Sequence, residues 1–325
     1  MIVTVTLNPS LDHTLTLDEP LTRGAVHRLT PVSTEPGGKG VNVSRALTQN
    51  GVDTVALLPA ADHDPILTGL RALRVPFHNV DIPGNVRSNL TITENDGTTT
   101  KLNEPGAYLD RAALATLTEA VCDHAARATW VVLSGSLPPG VPDGWYADVV
   151  ARLAALPCRV AVDTSERPLT ALADSFATAA PDLIKPNSDE LASLTGLSAQ
   201  ELEEAAAQGN PLPVVAAAQQ LIGRGAGTVL VTLGGAGAVL VDHDGTWAAT
   251  APAIVPRSTV GAGDASLAGY LAATIAGAEP AQRLQTAVAY GSAAASLPGS
   301  ALPTPAQIDV KAVRVQAVTS ASAHL

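Results

Sequence analysis

Asp264 closes the turn Gly261-Ala262-Gly263-Asp264, directly ahead of an apolar, helix-forming run. A glycine turn that opens a helix presents unpaired backbone N–H groups and the positive end of the helix dipole, which favour a phosphate or a developing anion. A carboxylate beside such a cradle repels a resting pyrophosphate, so it needs another task. Taking the proton from a hydroxyl while that oxygen attacks a γ-phosphoryl group is one such task; capping the helix is the other. The dinucleotide fingerprint fails here, because Ser266 holds the third glycine position and no strand clearly precedes the turn.

A second cluster, Pro36-Gly37-Gly38-Lys39-Gly40-Val41-Asn42, surrounds a lysine with glycines just before a helix. It is not a Walker loop, since Gly40 stands where Ser or Thr must follow the lysine. Its glycines still let the backbone approach a polyhydroxyl or phosphorylated ligand, and the plain alternative is a tight turn with a solvated lysine. Three weaker groups share the same logic. Asn8-Pro9-Ser10-Leu11-Asp12 follows the first apolar run, and the carboxyl ends of strands are where open α/β sheets bind ligands. In Lys185-Pro186-Asn187-Ser188-Asp189-Glu190 the three-residue spacing of Asn187 and Glu190 suits one hydrated Mg²⁺ or, equally well, a capping box. Ser134-Gly135-Ser136 closes another apolar run and otherwise reads as an ordinary turn. The histidines show no zinc spacing, and no Gly-x-Ser-x-Gly elbow is present.

Elements that could position these residues follow from the hydrophobic pattern. Short apolar runs at Ile2–Leu7, Thr54–Leu58, Trp130–Leu133, Arg159–Val162, Leu183–Ile184 and Val229–Thr232 read as strands. Helix-like stretches fall between them at Val41–Gln49, Ile66–Leu73, Arg111–Ala126, Gly144–Leu156 and Ser188–Thr195. That alternation predicts an α/β fold with a mainly parallel sheet covered by helices on both faces. Val239–Val241 and Thr246–Ala249 flank Asp244-Gly245 as a hairpin, and two Ala-rich helices follow at Ala262–Ala276 and Ala281–Ser296. Gly209-Asn210-Pro211 reads as a helix–helix loop. Two segments break the rhythm: His13–Ser33 is extended and polar, and Ser88–Glu94 with Thr98–Asn103 alternates around Asn95-Asp96-Gly97. Together they predict a small β lid, built from about residues 13–35 and 86–104, over a cleft. No linker or repeat divides the chain, so one domain over residues 1–325 is expected.

Composition narrows the function. Of 325 residues, 46% are hydrophobic and 15% charged, a balance that permits a large core and excludes wholesale disorder. A net charge of −11 argues against nucleic acid as a partner, though a few cations focused in a cleft can still hold an anionic small molecule. Two cysteines cannot make a disulfide framework. The strand-like start lacks a cationic leader, and no run is long enough to span a bilayer, so a cytoplasmic protein without membrane partners is expected.

The motifs Asn8-Pro9-x-x-Asp12, Gly37-Gly38-Lys39-Gly40-x-Asn42-Val43, Ser134-Gly135-Ser136-Leu137-Pro138, Lys185-Pro186-Asn187-x-x-Glu190, Thr232-x-Gly234-x-x-Gly237 and Thr259-x-Gly261-Ala262-Gly263-Asp264 occur in that order. The series resembles the ribokinase-like sugar kinases, in their phosphofructokinase B branch, over essentially the whole chain. That resemblance implies a three-layer α/β/α core with a β-sheet lid, ATP with Mg²⁺, and a sugar hydroxyl as acceptor. It implies Asp264 as base and the Gly261, Ala262 and Gly263 backbone as anion hole. Asp12, Gly38, Asn42 and Ser136 then fall at the sugar, and Lys185, Asn187, Thr232, Gly234 and Gly237 at the nucleotide, with Glu190 and Asn187 meeting Mg²⁺ through water.

The opening Thr6-Leu7-Asn8-Pro9, and the segments Arg87-Ser88-Asn89 and Lys101-Leu102-Asn103-Glu104-Pro105-Gly106, resemble the branch's sugar-phosphate kinases. Such a substrate needs extra cations, and Arg28, Lys39, Arg87 and Lys101 supply them. The expected reaction is phosphorylation of D-fructose 1-phosphate, with tagatose 6-phosphate and fructose 6-phosphate as alternatives. A non-catalytic sugar-phosphate-binding protein is the rival from another class, and the presence of Asp264 counts against it. A homodimer through the lid is also implied.

Overall fold

The computed structural model describes residues 1–29, 32–96 and 98–319. Its strands are β1 (Ile2–Val5), β2 (Ser10–Leu17), β3 (Val32–Gly37), β4 (Thr54–Pro59), β5 (Phe77–Val80), β6 (Arg87–Glu94) and β7 (Thr99–Asn103). They continue as β8 (Trp130–Ser134), β9 (Arg159–Asp163), β10 (Leu183–Ile184), β11 (Thr228–Thr232), β12 (Ala238–Asp242), β13 (Thr246–Thr250) and β14 (Arg314–Ala317). Among the described residues they form two sheets. The large one has ten strands in the order β14-β13-β12-β11-β10-β9-β8-β1-β4-β5, and the small one has four in the order β3-β2-β6-β7.

From β5 to β11 every neighbouring pair in the large sheet is parallel; β11 to β14 pair antiparallel. Apart from the edge strand β5, the parallel strands are largely buried on both faces, which is why they read as continuous apolar runs. Successive residues serve opposite faces. Val131 and Leu133 pack with the helices Arg111–Ala125 and Trp145–Leu153, whereas Trp130 and Val132 pack with Lys39–Gln49, Ala262–Ile275 and Pro280–Ala295. The helices Ala199–Ala207 and Leu212–Arg224 flank the expected loop at Gly209-Asn210-Pro211, and β12 and β13 form the expected hairpin across Asp244-Gly245.

Two edge strands, β5 and β14, and the helix Glu166–Asp174 lie where the hydrophobic pattern offers no signal. Among the described residues no helix is long and apolar enough to cross a membrane.

Chain order reverses at β1, which pairs with β8 on one side and β4 on the other. A crevice opens at such a switch point, outside the carboxyl ends of the strands. The chain leaves β1 there and passes through Asn8 into β2 of the small sheet. In that sheet β2 pairs antiparallel with β3 and parallel with β6, and β6 pairs antiparallel with β7. Its first strand therefore starts at Ser10, ahead of the expected boundary. Gly97, in the expected Asn95-Asp96-Gly97 turn, and residues 30 and 31 of the expected lid lie outside the described residues.

Candidate active site

One cavity of about 890 Å³ lies between the carboxyl ends of the large sheet and the small sheet. Its floor is made by helix starts and strand ends. The helix Ala262–Ile275 begins after Gly261, which adopts φ 76° and supplies no side-chain cap. The first-turn N–H groups of a helix have no intrahelical acceptor; Ala262 N donates to the Thr259 carbonyl at 3.3 Å, and the turn lines the cavity. Asp264 lies in that first turn, only 5% exposed. The helix Lys39–Gln49 begins after Gly38, at φ 104°. Gly40 lies so close to β1 that a Cβ would sit 2.9 Å from the Val5 carbonyl. Glycine at these positions lets the helix start press against the strand end.

The floor is dense with charge. Lys39 Nζ lies 3.1 Å from Asp163 Oδ1, and Lys185 Nζ 3.3 Å from Asp163 Oδ2. Asn42 Nδ2 donates to Asp264 Oδ2 at 2.9 Å. Burial pushes the Asp264 carboxyl above the ordinary carboxylate range; Lys39 pulls it down, Asp163 adds to the rise, and Asn42 and Lys185 oppose it. Burial alone would raise Asp163 as well, yet Lys185 and Lys39 hold it below that range. For Lys39, burial is outweighed by Asp163, Asp264 and Glu190, so its ammonium is held more tightly than usual. A Cβ on Gly263 would approach Lys185 Nζ to 3.3 Å, which places that ammonium against the glycine turn.

Thr232, Gly234 and Gly237 line the cavity where β11 ends, and a bridge pairs Asn187 with Thr232. The adjoining wall, which includes Ile254, Val288 and Ala295, is apolar. Asn187 and Glu190 form a capping box: Asn187 N donates to Glu190 Oε2 at 2.9 Å, and Glu190 N to Asn187 Oδ1 at 2.8 Å. Burial, followed by Asp163, raises the Glu190 carboxyl. Among the described residues no three His, Cys, Asp or Glu side chains converge as a metal cage. The Glu190 carboxylate facing the cavity fits a hydrated Mg²⁺ that keeps its waters and shares phosphate oxygens.

The small sheet forms the opposite wall. Asp12 on β2 accepts from Ser10 Oγ at 2.7 Å and from Asn89 Nδ2 at 3.0 Å. Arg87 and Asn89 alternate on β6, so both face the cavity, and Lys101 reaches it from β7. Arg87 Nη1 donates weakly to the Glu104 carbonyl at 3.4 Å. Among the described residues, Arg87 Nε and Asn89 Oδ1 are buried without a hydrogen-bond partner. Such orphaned groups are costly unless a ligand completes them.

Two sequence-expected residues lie outside the cavity wall. Ser136 accepts a hydrogen bond from Asn8 Nδ2 at 3.1 Å, which turns it toward the crossing of two loops. Arg28 is exposed in the irregular segment between β2 and β3. All the other expected residues line the cavity. The sequence reading assigned no role to Asp163 or Asn89. Asp163 ends an apolar strand at the ligand-binding edge, and Asn89 sits two residues from Arg87 on one strand face; either pattern was a usable signal.

Residues 5–307 match the family model of pfkB family carbohydrate kinases. A 1-phosphofructokinase of Xanthomonas campestris is 38% identical over 295 residues, covering 88% of each chain. The ATP-dependent 6-phosphofructokinase isozyme 2 of Escherichia coli is 32% identical over 305 residues, covering 93% of this chain and 94% of its own. The crystal structure of phosphofructokinase-2 from Escherichia coli in complex with substrates and products has a TM-score of 0.84 at 30% identity, covering 94% of this chain and 96% of that one.

Proposed function

We infer, for a chain that belongs to the pfkB family of carbohydrate kinases, that it transfers the γ-phosphoryl group of ATP to D-fructose 1-phosphate, giving fructose 1,6-bisphosphate and ADP. One observation carries this reading: a buried carboxylate at an uncapped helix start shares a cavity with two cations of the small sheet. Asp264 takes the proton of the acceptor hydroxyl as that oxygen bonds to phosphorus and the bond to the bridging oxygen of ADP breaks. The raised Asp264 carboxyl is a better proton acceptor than an ordinary carboxylate once ionised. The N–H groups of Gly261 to Gly263, with Lys185 beside them, face the charge on the transferring group.

The nucleotide base lies against the apolar wall, beside Thr232, Gly234 and Gly237. Asp12, Gly38 and Asn42 hold the sugar's hydroxyls. Arg87 and Lys101 hold its existing phosphate, and Lys39 adds positive charge to the floor between them. Glu190 and Asn187 would hold Mg²⁺ through water, and the ion would supply charge neutralisation of the phosphates.

A homodimer through the small sheet belongs to the same reading, because Val32 and Leu102 on its strands are 54% and 53% exposed. Fructose 6-phosphate is the second reading, favoured by the Escherichia coli relative.

A coupled assay of ADP release, with Mg²⁺ and each of fructose 1-phosphate, fructose 6-phosphate, tagatose 6-phosphate and fructose, tests the choice. The highest kcat/KM is expected for fructose 1-phosphate. A preference for another sugar phosphate would change the acceptor, and no ADP release on any sugar would contradict kinase activity.

A further inference from the structure

We propose that Arg45 is a positioning residue for the phosphoryl-transfer step: it locks the Asn42 amide with Nδ2 aimed at Asp264 and anchors that lock to β3 through Glu35. The inference rests on Asp264 acting as the base.

Arg45 lies one helical turn after Asn42 and is 7% exposed. Its Nη1 donates to the Pro36 carbonyl at 2.8 Å and to Asn42 Oδ1 at 3.3 Å, and its Nη2 meets Glu35 Oε2 at 2.6 Å. Asn42 is equally enclosed, at 5% exposure, and its Nδ2 donates to Asp264.

An amide presents an acceptor at one end and donors at the other. With a guanidinium at Oδ1 and a carboxylate at Nδ2, Asn42 has both ends matched. Flipped, it would point NH₂ at a cation and oxygen at an anion, and both contacts would repel. Arg45 therefore decides which end of the amide meets the base. Arg45 does not line the cavity, so it has no route to the substrate except through its neighbours.

The far end of the network reaches the sugar side. Glu35 also accepts from Ser300 Oγ at 3.1 Å, and on the paired strand it stands directly opposite Asp12. A buried guanidinium needs such a counter-charge. One short chain of bonds thus links the strand pair that bears Asp12 with the orientation of Asp264. The other groups acting on Asp264 are Lys39, Asp163 and Lys185. Among the described residues no hydrogen bond or ion pair joins any of them to Arg45.

The test is kcat against pH with fructose 1-phosphate for the parent, Arg45→Met and Arg45→Lys. Methionine keeps the stem and removes the donors, so the amide is free to turn and the Asp264 carboxyl rises further. The acid limb should move to higher pH, with kcat about tenfold lower near pH 6 and the loss shrinking toward pH 9. KM for ATP should hold. Lysine retains one donor for Asn42 Oδ1 and should return most of the limb toward the parent position. An unmoved limb, or a loss equal at every pH in both variants, would overturn the proposal.

If Arg45→Met does not fold, Glu35→Gln at the part-exposed end of the network replaces it: a limb displaced upward supports the role and an unmoved limb overturns it. The underlying reading is tested separately by turnover of the parent chain. An active parent with an unmoved limb in the variants removes only Arg45.

Discussion

The two walls of the cavity are built by different means. The floor is buried and densely paired: Asp163, Asp264 and Lys185 are 1%, 5% and 3% exposed, and each is tied to another charged or amide group of the protein, with Asp163 Oδ2 making only its ion pair to Lys185. The small sheet is half-open. Every residue of β6 is only partly buried, β7 is largely exposed, and Arg87 and Asn89 retain polar atoms without partners among the described residues. A charge relay that must present one pKa and one geometry gains from burial and fixed neighbours. A surface that selects among sugar phosphates gains from donors left unfilled until the right anion completes them. In the proposed reaction the chemistry belongs to the floor and the choice of acceptor to the small sheet.

Even within the floor, two buried carboxylates are set in opposite directions. Asp264 is raised, chiefly by burial, and Asp163 is lowered by the two lysines that outweigh its burial. Changing each to Asn should break the molecule differently. Asp264→Asn removes the proton acceptor, a role worth about a hundred- to ten-thousand-fold in kcat, while calorimetric binding of fructose 1-phosphate persists. A raised native carboxyl disfavours the folded state above the ordinary carboxylate range, so this variant should be at least as stable as the parent at neutral pH. Retained turnover would remove Asp264 from the mechanism.

Asp163→Asn leaves Lys39 and Lys185 without their anion and should lower unfolding stability by about 3–5 kcal/mol in denaturant titrations at neutral pH. The depressed Asp163 carboxyl contributes stability that is present above the ordinary carboxylate range and lost as pH falls through its lower folded value. The gap between parent and variant should accordingly close in acid. A gap independent of pH would mean that the ion pairs are not its cause.

What the sequence revealed divides along the same line. The parallel strands were legible because burial on both faces makes them unbroken apolar runs, as in Trp130–Ser134. β5, with the sequence Phe-His-Asn-Val, and β14, with Arg-Val-Gln-Ala, were not, because edge strands carry polar residues and gain their pairing only from the sheet. Glycine-marked helix starts announced Lys39, Asn42 and Asp264. Asp163 is marked only by its place at the end of an apolar strand, and its importance comes from two lysines that the fold brings from 124 residues before it and 22 after it. Ser136 and Arg28 show the reverse pattern. A motif or a nearby charge points to them, but neither lines the cavity: Asn8 engages the first, and the second is exposed. The three-residue spacing of Asn187 and Glu190 suits a cap and a metal site alike, and the capping box is present alongside their place in the cavity wall.

The division between floor and small sheet is tested most directly by Arg87→Ala, measured on fructose 1-phosphate and on unphosphorylated fructose in parallel. Burial lowers the pKa of the Arg87 guanidinium and Asp12 raises it, but arginine stays charged throughout the working range. Removing a charge-assisted contact worth roughly 1.5–3 kcal/mol should cost about tenfold to a hundredfold in kcat/KM for the sugar phosphate. KM for ATP should not move, and the poor activity on fructose should be nearly untouched. Equal losses on both sugars would contradict the account, because Arg87 would then serve the common chemistry or the fold rather than the phosphate that distinguishes the substrate.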